Sequence, residues 1–202
     1  AYDSLVDALE DDFPDVRIAA LKTLPSFSLR RQGILLHCLS DRLQDDEDSV
    51  REEAMKCLKK VAPLFPSGCE EILRRELRDT RKDHRENAFE ALKLASREWP
   101  EVGCLHLDEL IREEEDDLRI RGSMILRTIA SKGGAEAWDL IGWSLQDEEV
   151  RVRRNASKTL TILADVEPRV AVILVESSIG EDDRQIRGSV IKALKKLDIQ
   201  SP

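Results

Sequence analysis

An arginine that follows an acid by six residues recurs along the chain at an almost constant spacing, and this recurrence constrains the fold most. Successive arginines lie about 34 residues apart, a period typical of proteins whose repeats stack only on their neighbours. The interval before the fourth copy is slightly longer and the interval after it slightly shorter. The arginines are Arg17, Arg51, Arg85, Arg121, Arg153 and Arg187, and the acids are Asp11, Asp45, Asp79, Glu115, Asp147 and Glu181.

Apolar residues around each arginine follow the period of an α-helix. With the arginine as position 0, positions −1, +3, +4 and +7 are mostly apolar and lie on one helix face. A second stripe lies at −12 and −8; the fourth copy needs two extra residues, with Leu107 and Ile111 in these places. The sequence therefore predicts an all-α protein, an α-α superhelix (solenoid) of six helical hairpins and about twelve helices.

The pattern covers the chain throughout, so residues 1–202 are predicted to form a single repeat domain. Prolines and glycines that are typical of turns separate the copies. The expected units are approximately 1–31, 32–66, 67–101, 102–134, 135–167 and 168–202.

The arginine at position 0 lies inside the arc of the apolar positions, so its side chain is predicted to point toward the packed seam. A charge there needs a partner, and the acid at −6 in the same repeat is the candidate. The same acid is placed to cap the second helix of the hairpin. We therefore interpret the series as a structural ladder and not as a set of active sites.

Composition limits the classes of function. A net charge of −9 argues against a general nucleic-acid binder, which needs a basic surface. The four cysteines, Cys38, Cys57, Cys69 and Cys104, have no CxxC spacing and indicate reduced thiols in place of disulfides or zinc ligands. No apolar stretch has membrane-spanning length and no signal peptide is recognisable. We expect a cytoplasmic protein without a metal or a cofactor.

The segment from Leu9 to Leu21, LEDDFPDVRIAAL, strongly resembles a HEAT repeat of the phycobilin-lyase-like type. In that family an acid after the first helix precedes a Val-Arg pair and a small residue in the second helix. The segments 43–55 and 145–157 match nearly as well. A tetratricopeptide array has a similar period, but it requires Gly and Tyr in its first helix and has no place for the Val-Arg pair; Tyr2 is the one tyrosine of this chain.

The wider HEAT-like group contains enzymes, and each makes a demand on the sequence. Its iron-dependent deoxyhypusine hydroxylase would require His-Glu pairs, whereas His37, His84 and His106 are followed by Cys, Arg and Leu. Its alkylpurine DNA glycosylase would require a basic concave surface with aromatic residues. Phosphate-loop, dinucleotide and serine-hydrolase motifs are absent from the sequence. No catalytic residue is predicted, and a bilin-lyase-like enzyme subunit stays open as the alternative function, with a nucleic-acid-binding HEAT-like protein third.

Positions opposite the core arc of the second helices are predicted to line the concave face. Lysines toward both ends and an apolar middle would suit an amphipathic or acidic segment of a partner protein or peptide. The favoured function is therefore a non-enzymatic protein-binding scaffold, although curvature could instead cover the aliphatic residues and leave the lysines merely solvated. The candidate contact residues are Lys22, Lys56, Lys60, Leu94, Leu126, Ile162, Lys158 and Lys192.

Trp143 is a candidate for a contact on the outer side. It lies in a first helix at position −10, where other repeats carry polar residues such as Asp7 and Asp41. An exposed tryptophan is a typical contact hot spot, and packing by the neighbouring repeat is the other explanation.

Overall fold

A computed structural model describes residues 2–27 and 32–200, without the side chains of Tyr2, Gln32, Ile199 and Gln200. Within these ranges all regular structure is helical, which confirms the predicted all-α class. No helix there is both long and apolar enough to cross a bilayer. By its contacts the chain divides into two compact units, Ala1–Trp99 and Pro100–Pro202. The single domain over residues 1–202 stays a prediction.

Three helical hairpins form the N-terminal unit. Second helices pack side by side, α2 on α4 and α4 on α6, and the first helices pack in the same order. The fully buried Leu9, Leu43 and Leu77 occupy position −8 of successive repeats, and each such side chain contributes about 1.5–3 kcal/mol. The hairpins are α1 (Tyr2–Leu9) with α2 (Pro14–Thr23), α3 (Gln32–Arg42) with α4 (Asp48–Val61), and α5 (Pro66–Glu76) with α6 (Lys82–Glu98).

The C-terminal unit also contains three hairpins, but the second helix is interrupted in two of them. Counting each interrupted helix once gives twelve helices over the described ranges, as predicted. The hairpins are α7 (Pro100–Leu110) with α8 (Asp116–Ser123) and α9 (Leu126–Ile129), α10 (Gly134–Leu145) with α11 (Val150–Ser157) and α12 (Leu160–Val166), and α13 (Pro168–Glu176) with α14 (Arg184–Gln200).

Serine side chains accompany both interruptions. Ser123 Oγ donates to the carbonyl of Ile120 at 2.6 Å, and Ser157 Oγ donates to the carbonyl of Arg154 at 2.9 Å. The N–H groups of Met124 and Thr159 bond three residues back, at 3.0 and 2.9 Å, where an α-helix bonds four back. Each of these two interrupted helices therefore contains a tight turn just after its buried serine.

The arginine ladder corrects the predicted register of the fourth repeat. Arg119 Nη1 donates to the carbonyls of Glu113 and Glu114 at 2.9 and 3.0 Å, as Arg17 Nη1 does to Asp11 and Asp12 at 2.7 and 3.1 Å.

Arg121, which the sequence pattern selected, instead bonds Asp117 inside α8 through Nε at 2.7 Å. With Arg119 in the ladder, the interval between successive arginines is the same throughout and no extra residues are needed. The predicted insertion was wrong because both Arg119 and Arg121 follow an acid by six residues.

The acids of the ladder link adjacent repeats. Within its own repeat the acid accepts from the arginine through its backbone carbonyl, so the predicted carboxylate pairing was wrong. The Asp45 carboxylate instead binds Arg17 of the preceding repeat at 2.8 Å. The pairs Arg119–Asp147 and Arg153–Glu181 repeat this contact at 3.1 and 2.9 Å.

The same carboxylates also close the turn before the second helix. The Asp147 and Asp11 carboxylates accept the N–H two residues on, each at 2.8 Å. That N–H belongs to the N-cap residue, Glu149 or Phe13. The prediction that the acid is itself the cap residue was therefore wrong, because the acid precedes the observed N-cap residue by two positions.

Candidate partner-binding surfaces

The N-terminal unit places three predicted lysines on the exposed side of its second helices. Lys22 in α2 and Lys56 and Lys60 in α4 are exposed, and Leu94 in α6 is half-buried. Lys56 Nζ lies 3.2 Å from the Glu53 carboxylate. Lys22 and Lys60 make no ion pair with the described residues, so their charges face solvent.

The C-terminal unit exposes Lys158 and Lys192 at the same helix position, +5, and leaves Ile162 half-buried. Leu126 is 0% exposed, so the prediction that its side chain lies on this face is wrong. In the corrected register Leu126 occupies position +7, which belongs to the core. Met124 occupies +5 in the fourth repeat and is 60% exposed. An alignment without the two-residue insertion would have identified Met124 from the sequence.

We call the exposed positions of each unit the second-helix face of that unit. Lysines are their main charged residues, although Glu90 occupies position +5 of the third repeat and is exposed. The members are Lys22, Lys56, Lys60 and Leu94 in the N-terminal unit and Met124, Lys158, Ile162 and Lys192 in the C-terminal unit.

Trp143 lies at the edge of a groove between the first helices α10 and α13. It is 51% exposed, and the Arg112 guanidinium lies over its ring at 5.1 Å from the centroid. Trp138 and Ile173 also line this groove, which has a volume of about 370 Å³. The structure thus places Trp143 on the surface and adds Trp138 beside it.

The cysteine thiols are unsuited to nucleophilic chemistry. All four are free and buried. Burial raises the pKa of Cys57, Cys69 and Cys104 to about 12 and also raises that of Cys38. Because the reactive form is the thiolate, these side chains act as small core residues.

Glu76, Asp79 and His84 form the one group of potential metal ligands in the described ranges, with donor atoms within 4.8 Å of one another. His84 Nδ1 lies 3.1 Å from Glu76 Oε2. Glu76 Oε1 already accepts from Gln44 Nε2 at 3.0 Å and from Arg75 Nε at 2.8 Å.

Arg81 binds the carboxylate of Asp79, the other acid of this group. It binds both oxygens of Asp79, and its hydrogen bonds hold the Asp79 pKa well below the usual range. Since cationic side chains already neutralise both carboxylates, the arrangement is an ion-pair network that joins the second and third repeats.

Ion pairing also lowers the pKa values of two ladder acids. Burial alone would raise the pKa of Asp45, but hydrogen bonds from Arg17 and from the Glu47 N–H outweigh it and hold the pKa below its usual range. The hydrogen bond from Arg153 lowers the pKa of Glu181 in the same way. The ladder acids are therefore charged partners of buried or half-buried guanidinium groups.

Comparison with known proteins places this architecture among helical repeat folds. A family model for HEAT repeats matches residues 2–93. A search of curated protein sequences gives no match. The similar solved structures are distant in sequence and therefore show the fold alone. Together with the family match, they show that the chain has a HEAT-like helical repeat fold. The phycobilin-lyase-like subtype stays a prediction.

Three solved structures illustrate the similarity. Computationally designed armadillo repeat proteins for modular peptide recognition are 17% identical, with a TM-score of 0.53 over 96% of this chain and 98% of theirs. Mini spindles TOG3 from Drosophila melanogaster is 14% identical, with a TM-score of 0.67 over 98% and 95%. A HEAT-like repeats protein from the archaeon Thermococcus onnurineus NA1 is 13% identical, with a TM-score of 0.57 over 96% and 86%.

Proposed function

We propose that this protein is a non-enzymatic scaffold whose second-helix face binds an acidic, amphipathic segment of a partner protein. One observation carries the proposal: in a chain with a net charge of −9, position +5 carries an exposed lysine in four of the second helices, at Lys22, Lys56, Lys158 and Lys192. Complementary charge steers partners and fixes their register. We further propose that the protein acts in the cytoplasm, where its free cysteines would stay reduced.

The spacing of the lysines defines the partner more closely. Packed helices lie about 8–10 Å apart, and α11 packs on α14, so Lys158 and Lys192 are expected at about that separation. A polyproline-II helix has three residues per turn and rises about 9 Å over those three residues. An acid at every third residue would therefore meet Lys158 and Lys192 in turn. Met124 and Ile162 would contact the apolar residues between the acids.

The designed armadillo repeat proteins described above support this function, because they share the helical repeat fold and were made for modular peptide recognition. Their low identity to this chain carries over no binding residue. The proposed contacts rest on the exposure and charge of this chain's own side chains.

A charge-reversal pair tests the proposal. We expect a fluorescein-labelled peptide of four Glu-Leu-Pro repeats to bind in low salt, and its Lys-Leu-Pro counterpart not to bind. Lys158→Glu with Lys192→Glu should weaken acidic-peptide binding at least tenfold in fluorescence anisotropy. Arg169→Glu with Arg184→Glu is the matched control, because both arginines are exposed and lie outside the second-helix face.

Two outcomes would overturn the proposal. One is equal binding of the acidic peptide by both double variants at an unchanged melting temperature. The other is binding of duplex DNA as tightly as the acidic peptide, which would favour the nucleic-acid alternative.

A further inference from the structure

The groove between α10 and α13 is open because one repeat has no side chain at its floor. Gly142 occupies position −11, and a Cβ built there would lie 3.4 Å from Leu174 Cδ2. A larger side chain at Gly142 would extend into the groove. The other repeats all carry a side chain at this position: Val6, Ser40, Arg74, Asp108 and Glu176.

The groove is apolar and accessible. Trp138, Trp143 and Leu174 line it together with Ile173, which is 65% exposed. Exposed aromatic and aliphatic side chains around a concave site are typical of an anchor pocket for a partner's apolar side chain.

Its polar groups have no partners among the residues that the structure describes. Neither Trp138 nor Trp143 donates its indole N–H, whereas Trp99 Nε1 donates to the Pro63 carbonyl at 2.9 Å. The exposed Asp139 carboxylate, which also lines the groove, makes no ion pair within the same ranges. Two donors and one negative charge therefore remain available to a ligand.

One end of the groove adjoins an acidic hollow, with which it shares Gln146. Gln146 lines both the groove and a second cavity of about 320 Å³, which Glu113, Asp147 and Glu148 also line. Arg119 is the cation of that cavity, and its guanidinium already binds Asp147. Negative charge therefore dominates this end of the groove.

The cation at the rim does not reverse this charge. The Arg112 guanidinium over Trp143 binds the Asp108 carboxylate at 2.7 Å, so the pair is neutral. Asp139 and Trp143 are four residues apart on α10, which places their Cβ atoms about 5–6 Å apart on one face. An apolar side chain and a neighbouring cation of one partner segment could reach both.

We infer that the α10–α13 groove is a second docking surface, which takes a short basic amphipathic peptide segment. One bulky apolar side chain enters between Trp138, Trp143 and Ile173, and an adjacent Lys or Arg pairs with Asp139 or with the acidic hollow. The inference does not rest on the proposed function, because it concerns first helices and a partner of the opposite charge.

The indole N–H signals provide the test. The chain has three tryptophans, and their ¹H–¹⁵N correlations would be followed during titration with acetyl-Lys-Leu-Leu-Lys-amide. We expect the signals of Trp138 and Trp143 to shift and that of Trp99 to stay. Acetyl-Glu-Leu-Leu-Glu-amide should produce no saturable shift, and Asp139→Asn should weaken binding of the basic peptide at least threefold.

Filling the groove gives the decisive variant. Gly142→Leu should abolish the saturable shifts while the melting temperature is retained, because leucine favours the helix more than glycine does. Val172→Leu is the matched control, since Val172 is exposed on α13 but does not line the groove.

Equal shifts with both peptides, or basic-peptide binding unchanged by Gly142→Leu, would overturn the inference. The pair Lys158→Glu with Lys192→Glu should leave these shifts unchanged, so failure here is distinguishable from failure of the second-helix face.

Discussion

The two units follow one repeat register but build their second helices differently. In the N-terminal unit α4 and α6 run uninterrupted for 14 and 17 residues. In the C-terminal unit the first two second helices each break into two short segments, α8 with α9 and α11 with α12. Position +4 differs accordingly: Leu21, Met55 and Phe89 occupy it in the first unit, and Ser123 and Ser157 in the interrupted helices of the second.

The serines explain the interruptions. A serine hydroxyl that bonds to a nearby carbonyl competes with the helical hydrogen bond and bends the helix. Gly122, just before Ser123, weakens that helix further. Yet Leu126 and Leu160 on the far side of the breaks are fully buried at position +7. Packing and the arginine ladder therefore keep the register, and helix continuity is a local property.

Removing one arginine of the ladder in each unit should produce the largest loss of stability. Arg17 and Asp45 have side chains only 10% and 4% exposed, whereas Arg153 and Glu181 are each 21% exposed. Arg17→Ala leaves Arg42, with its Nε at 3.4 Å, as the remaining cation beside the buried Asp45 carboxylate, and should cost about 3 kcal/mol. Arg153→Ala should cost about 1–2 kcal/mol, because water can reach Glu181. Urea unfolding followed by circular dichroism measures both.

The double variant Arg17→Ala with Asp45→Ala serves as the control for this pair. It should recover part of the loss, since the buried carboxylate that loses Arg17 is then removed as well. An Arg153→Ala variant that loses as much stability as Arg17→Ala would show that burial does not set the strength of the ladder.

The third and fourth repeats provide an intermediate test. The buried pair Glu76 and His84 of the third repeat corresponds to Leu110 and Leu118 of the fourth, at positions −9 and −1. His84→Leu alone removes a partner of a fully buried carboxylate and should cost about 2 kcal/mol. His84→Leu with Glu76→Leu should return to within about 1 kcal/mol of the wild type, because the pair is replaced by apolar side chains.

Thermal and urea unfolding measure the stability of the single and the double variant against that of the wild type. Additive losses in the double variant would contradict this expectation and would show that Gln44 and Arg75 depend on Glu76 for their positions.

Restoring a continuous second helix should change the stability least. Ser157→Ala removes the hydroxyl that bonds to Arg154 and should stabilise the C-terminal unit by about 0.5 kcal/mol. Amide hydrogen exchange should slow at Lys158 and Thr159 as four-residue hydrogen bonds replace the tight turn. Unchanged exchange at these amides would mean that packing, and not the serine, interrupts the helix.

The sequence was sufficient for the fold because a period is read from many residues at once. It misplaced Leu126 because Arg119 and Arg121 both satisfy the local pattern; the constant interval favours Arg119, and its backbone contacts settle the register. It did not predict the partner of Asp45, since the direction of a carboxylate across two repeats is not encoded in spacing. The sequence did not predict the groove beside Trp143 either, because its walls come from separate hairpins and its floor from the missing side chain of Gly142.

The link from an arginine to the acid of the following repeat has an evolutionary consequence. When Arg17 binds Asp45, or Arg153 binds Glu181, the contact joins one repeat to the next through groups that most repeats carry. Duplicating a repeat that takes part in such a pair would therefore present a matching guanidinium and carboxylate at the new junction. Such a chain can change its length by recombination without redesigning an interface, while residues outside the ladder diverge to suit new partners.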